Sequence, residues 1–98
     1  MTRPVVFLPA ARLELIEAQD WYESEAPGLG AQFRAAVGDQ VARISMNPLA
    51  FPVVLGDVRR ARLRRFPYSL FFRLLDDAAY VIACFHSSRD PRVWQRRV

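Results

Sequence analysis

Lysine is missing altogether from this 98-residue chain, and cysteine and histidine occur once each, as Cys84 and His86. A lone cysteine forms no internal disulfide, which fits a reducing compartment. Together the two residues also leave no thiolate or imidazole cluster for a metal, because such ligands come several at a time. The expectation is a protein with no metal and no cofactor. Long apolar runs are missing as well. The stretch Pro4–Ala11 is interrupted by Pro9 and runs into an acidic amphipathic segment, so it reads as part of the fold and not as a leader. No window approaches the roughly 20 apolar residues of a membrane span. The expected address is the cytoplasm, with no membrane partner. Phosphate-binding glycine loops, zinc spacings and nucleophile triads are likewise not found.

What stands in lysine's place is arginine, 14 residues of it, unevenly spread. The segment from Met1 to Asp57 holds four arginines against seven acids, a net of −3, whereas Val58 to Val98 holds ten against three, a net of +7. A GC-rich genome explains arginine in place of lysine but not this asymmetry. Guanidinium stays charged and grips phosphate or carboxylate with a planar fork, so the basic half reads as a recognition surface for an anion. With 52% apolar residues, seven Phe, three Tyr and two Trp, the chain has enough to bury a small core, and disorder is excluded as its main state. The length is that of one domain, residues 1–98.

Val5 to Leu8 reads as a short strand closed by Pro9. Ala11, Leu15, Ala18 and Tyr22 then recur at helical spacing, with Glu14, Glu17, Asp20 and Glu23 as an acidic outside. Ala26-Pro27-Gly28 breaks this helix, and Leu29, Phe33, Val37, Val41 and Ile44 mark a second one that ends before Asn47-Pro48. From Phe51 the period changes to two. Val58 to Arg65 predicts a strand with Arg60, Arg62 and Arg64 on one face and Ala61 and Leu63 on the other. Tyr68 to Leu75 predicts the next strand, Asp76-Asp77-Ala78-Ala79 the turn, and Tyr80 to His86 the last strand. The order β–α–α–β–β–β predicts an α+β fold, an N-terminal short strand and α-helical hairpin packed on a twisted antiparallel β-sheet. The segment from Pro91 to Arg97 predicts a short helical turn or a crossing of the sheet.

Candidate chemistry gathers where the last strand ends. His86 lies close to Arg89, and Arg62, Arg64 and Arg73 belong to neighbouring strands. A metal-free ribonuclease needs a base, an acid and cations around the phosphorane, so His86 and Arg89 are the catalytic candidates if the chain is one. Each has a plainer reading: a satisfied histidine at a strand end, and arginines that guard a sheet edge or cover apolar surface with their stems. Trp94, beside Arg92, Arg96 and Arg97, either stacks on a base or caps the core. Trp21 and Tyr22 read as core, and Asp76 and Asp77 as turn residues.

The run Ala18-Gln19-Asp20-Trp21-Tyr22-Glu23, then Pro27-Gly28-Leu29-Gly30 with Phe33, Asn47-Pro48, Arg64 to Arg73, and His86-Ser87-Ser88-Arg89-Asp90-Pro91 with Trp94 and Arg97, resembles the RelE/ParE superfamily of small toxins. These are the toxin halves of type II toxin–antitoxin modules, often called plasmid stabilisation proteins. The resemblance spans nearly the whole chain and implies two N-terminal helices against a twisted antiparallel sheet. It implies a cognate antitoxin as partner, and either of two targets. ParE-like members poison DNA gyrase; RelE-like members cut mRNA on the ribosome without metal. Here Pro67-Tyr68 is followed by Ser69, where the RelE-like pattern commonly has Arg, and the His86-Ser87-Ser88 ending looks ParE-like. The resemblance therefore implies a ParE-like gyrase inhibitor, with an mRNA endoribonuclease or a non-toxic antitoxin-binding module as alternatives. The residues it offers for target or phosphate binding are Arg62, Arg64, Arg73, Arg89, Trp94, Arg96 and Arg97.

Overall fold

Five strands and three helices follow one another in the computed structural model, which describes residues 2–98. Strand β1 (Val5–Phe7) leads into α1 (Pro9–Glu25), which has a proline in its first turn, where the missing N–H has no helical partner to lose. Ala11, Leu15 and Ala18 form its buried stripe. The break falls at Gly28, whose φ of 87° places it in the left-handed region that glycine enters without penalty. Glu23 then accepts hydrogen bonds from the Gly28 and Gly30 amides, both at 3.0 Å, so a side chain of α1 satisfies orphan donors at the start of α2 (Leu29–Met46). The two helices approach so closely there that a Cβ on Gly30 would lie 2.8 Å from the Gln19 carbonyl oxygen.

A 3₁₀ turn, Pro48–Ala50, passes the chain into β2 (Val53–Leu55), β3 (Val58–Arg62), β4 (Tyr68–Leu75), β5 (Ala78–His86) and a final turn of helix, α3 (Arg92–Gln95). The sheet order is β1-β5-β4-β3-β2. From β2 to β5 it is an antiparallel meander, with Arg62 opposite Ser69 and Ser69 opposite Phe85. Four details correct the expectations above. Strand β5 begins at Ala78 and not at Tyr80, because Asp76, with a φ of 54°, and Asp77 complete the turn by themselves and Leu75 already faces Ala78. Strand β1 is parallel to β5, Val5 opposite Ala79, because the helical hairpin carries the chain back before the meander begins. Strand β2 is additional, a three-residue edge between Pro52 and Gly56. Strand β3 stops at Arg62 instead of Arg65: Arg65 has a φ of 68°, and the Leu63 amide donates to Tyr68 O at 2.9 Å across the loop that Pro67 imposes.

Alternation along the strands feeds two apolar clusters. Leu70, Phe72, Ala79, Val81 and Cys84 join Phe33, Val37 and Ile44 beneath the helices. Val58, Phe71, Ile82, Ala83, Phe85 and Trp94 form a second cluster, covered by α3. A register shift between Phe71 and Phe72 gives β5 one residue more than β4, which is why the adjacent Ile82 and Ala83 fall in the same cluster. Gln40 is the buried polar side chain of α2; it donates to Arg62 O and accepts from Arg43 at 3.1 Å, so its burial is compensated.

Candidate target-binding surface

Strand β1 ends opposite Val81, and β5 continues to His86 without a neighbour on that side. Its outward backbone groups are met by side chains. Glu14 Oε1 accepts from the Cys84 amide at 3.1 Å, and Arg97 Nη1 donates to Ile82 O at 2.9 Å. The two side chains also join each other, with Arg97 Nη1 and Nη2 at 2.9 and 3.0 Å from the carboxylate, while Arg89 Nη1 reaches Glu14 Oε2 at 2.9 Å. Burial pushes the Glu14 carboxyl up, and the hydrogen bonds from Arg97, Cys84 N and Arg89 outweigh it, leaving the group below its ordinary value. Glu14 is thus a clamp between α1, the open edge of β5 and the C-terminal turn, not part of a solvated acidic face. The thiol beside it is held neutral: burial first, and the Glu14 charge second, push Cys84 up to about 12.

The sequence candidates divide by what they touch. Arg97 and Arg89 belong to this clamp, and the Arg89 guanidinium also lies over the Phe85 ring, 4.2 Å from its centroid. Arg73 pairs with Asp57 at 3.1 Å. Trp94 is only 3% exposed and stacks on Phe71 with centroids 4.2 Å apart, so it caps the second cluster and offers no free ring to a base. Trp21 departs from the expectation in the other direction: it is 56% exposed, edge-on to Tyr22. Arg64 is exposed in the loop after β3, near Asp39 of α2, and Arg96 is exposed at the C-terminal side of α3. The His86 ring packs edge-on to Tyr68 at 5.0 Å, and its Nδ1 accepts from the Ser88 amide at 3.0 Å. Tyr68 itself packs on Tyr22 and Phe33, so the imidazole sits toward the helices.

Arg62 remains free on the opposite face, and with it Arg60, which the sequence reading placed on that face but not among the candidates. The two border a concavity of about 400 Å³ with Ser69, Arg89, Ser87 and Trp94. No carboxylate lines it. His86 stands at its rim, though its ring is turned to Tyr68. Among the described residues no group of three or more His, Cys, Asp or Glu is placed to hold a metal ion, and no helix is long and apolar enough to cross a membrane.

Comparison with known proteins agrees with this architecture. Residues 5–91 match the family described as ParE toxin of type II toxin-antitoxin system, parDE. A solved structure titled "Chromosomal ParDE TA system from P. aeruginosa" contains a chain that superimposes with a TM-score of 0.75 at 18% identity, over 87% of this chain and 96% of that one. None of the curated proteins matches.

Proposed function

The chain belongs to the ParE toxin family of type II toxin–antitoxin systems, and from that premise we propose that it acts in the cytoplasm as a single-domain toxin that binds and blocks DNA gyrase, held inactive by a cognate antitoxin. The observation that favours binding over RNA cleavage is the engagement of most of the would-be catalytic set by other side chains. Arg89 and Arg97 are engaged by Glu14 and Arg73 by Asp57. The imidazole of His86 packs on Tyr68, away from Arg62. A general acid or base must lie within hydrogen-bond reach of the group it serves, with the cations around the same phosphate. Arg62, Arg89 and His86 border one concavity, but the imidazole is held on Tyr68 and Arg89 on Glu14, which leaves Arg62 alone of the three unengaged there. A binding toxin needs no acid or base; it needs a shaped, charged surface, and the row on β3 supplies one.

The experiment compares two assays on the purified chain. Inhibition of supercoiling by gyrase, without ribosome-dependent mRNA cleavage, is the expected result. Codon-dependent cleavage by the wild type that disappears in His86→Gln would replace this reading with that of an mRNA endoribonuclease. Charge screening over about 8 Å at physiological ionic strength makes target binding salt-sensitive in either case, so both assays are run at matched salt.

A further inference from the structure

We propose that the α3-covered face of the sheet is a sequence-independent docking site for a phosphodiester backbone, seated against Arg60 and Arg62. In the complex with gyrase this face meets the DNA and not the protein, a placement that rests on the reading above. Four observations lead to it. Strand β3 pairs with β4 on one side, and its other side is met by β2 at Val58 and Arg59, by Pro52 O at the Arg60 amide and by Gln40 at Arg62 O, so Arg60 and Arg62 guard no open edge. Arg60 and Arg62 share the face of Val58, and neither has a carboxylate partner among the described residues. The concavity they border has three arginines and no acid in its lining. Finally, of the three enclosed side-chain donors without an acceptor, Arg60 Nε and Trp94 Nε1 belong to residues of that lining, and Arg73 Nε lies outside it. Buried donors left unpaired are uncommon and costly, and an oxyanion is the acceptor that two neighbouring guanidinium groups would attract.

The ligand class follows from spacing and from what is closed. Residues two apart on a strand sit about 6.6 Å from each other, so two like charges stand side by side. A chain whose negative charge repeats neutralises both; an isolated carboxylate neutralises one. Phe71, Phe85 and Trp94, the three benzenoid rings that line the concavity, are buried, so none of them is open for base stacking. Contacts of this kind fix position and carry no sequence information.

The test is binding of a fluorescently labelled DNA duplex by the purified chain, read by anisotropy between 50 and 200 mM salt. Two neutralised phosphates weaken binding by about twelvefold over that range, a slope of about −0.9 per phosphate. Arg62→Gln, at an exposed position, should flatten the slope by about 0.9, and Arg60→Gln likewise once its melting curve shows it folded. Arg34→Gln on α2 should leave the slope unchanged, and scrambling the duplex sequence should leave the affinity unchanged. Trp94→Phe keeps the ring on Phe71 and removes the N–H, so pyrophosphate should raise its melting temperature less than that of the wild type.

An unchanged slope in Arg62→Gln overturns the proposal, as does binding of a polyglutamate peptide by a chain that ignores nucleic acid, which would assign the face to an acidic protein. Preference for single-stranded RNA over the duplex would keep the phosphodiester site and overturn its assignment to DNA. Gyrase inhibition that persists without duplex binding sinks this inference alone. Duplex binding without gyrase inhibition sinks the gyrase reading and keeps the site.

Discussion

Replacing Glu14 by alanine removes one acceptor from three donors. Its carboxylate is 12% exposed. The share owed to Arg89, whose side chain is 45% exposed, is that of a surface pair, about 0.5 kcal/mol. Arg97 is more enclosed, at 24%, yet keeps its bond to Ile82 O. Losing its carboxylate should cost about 1–2 kcal/mol, less than the 3–5 kcal/mol of a fully buried broken pair. The Cys84 amide is left without an acceptor, at about 1 kcal/mol. The sum, about 3 kcal/mol, corresponds to a fall in melting temperature of roughly 12–24 °C for a chain of this size. Glu14→Gln keeps an oxygen for Cys84 and loses only the charge, so its fall should be about half as large. The two variants also separate by pH. Because the folded carboxyl titrates below its ordinary 4.5, its contribution is complete above that value and is lost as pH falls through the lower, folded one. The gap between wild type and Glu14→Gln, read by thermal denaturation followed by circular dichroism, should therefore be constant near neutrality and close in strong acid. An alanine variant that melts within about 3 °C of the wild type at pH 7, or a gap that persists unchanged in acid, would refute the clamp.

Two further changes test the packing described above by the same melting assay. Gly30→Ala places a Cβ 2.8 Å from a backbone oxygen that cannot rotate away, and should cost about 1–3 kcal/mol, whereas Gly38→Ala, with nothing within 4 Å on the same helix, should gain up to about 1 kcal/mol. Trp94→Ala should cost about 3–5 kcal/mol, and Trp21→Ala, half out in solvent, less than about 0.5 kcal/mol; equal losses from the two tryptophans would contradict their placement.

Periodicity exposed the parts of the fold that are decided locally. The buried stripes of α1 and α2, the break at Gly28 and the limits of β4 follow from residues a few places apart. Strand direction does not: nothing in Val5-Val6-Phe7 distinguishes a parallel from an antiparallel neighbour 74 residues away. Strand β2 escaped because three residues carry too little alternation to register. Glu14 was masked by its company, being one acid among several on the same helix. Its position offered a signal nonetheless, three residues after Ala11 and four before Ala18, which places it on the border of the buried stripe. The roles of Trp94 and Arg97 depend on the tail folding back over the sheet, so the basic tail and the open arginine row looked alike in sequence and differ entirely in what they touch.

The pairing of β1 with β5 also sets when the protein can exist. Val5 finds its partner at Ala79, and Glu14 finds Arg97 83 positions away. Contacts of such separation make folding slow relative to helical proteins of equal size. At translation speeds of about 5–20 residues per second, the finished pair α1 and α2 waits roughly 2–8 seconds for the strand that completes its core. Throughout that interval the nascent chain carries an exposed apolar helix face and no assembled arginine row. A protein that recognises the waiting helices therefore meets them before the sheet and its arginine row are assembled.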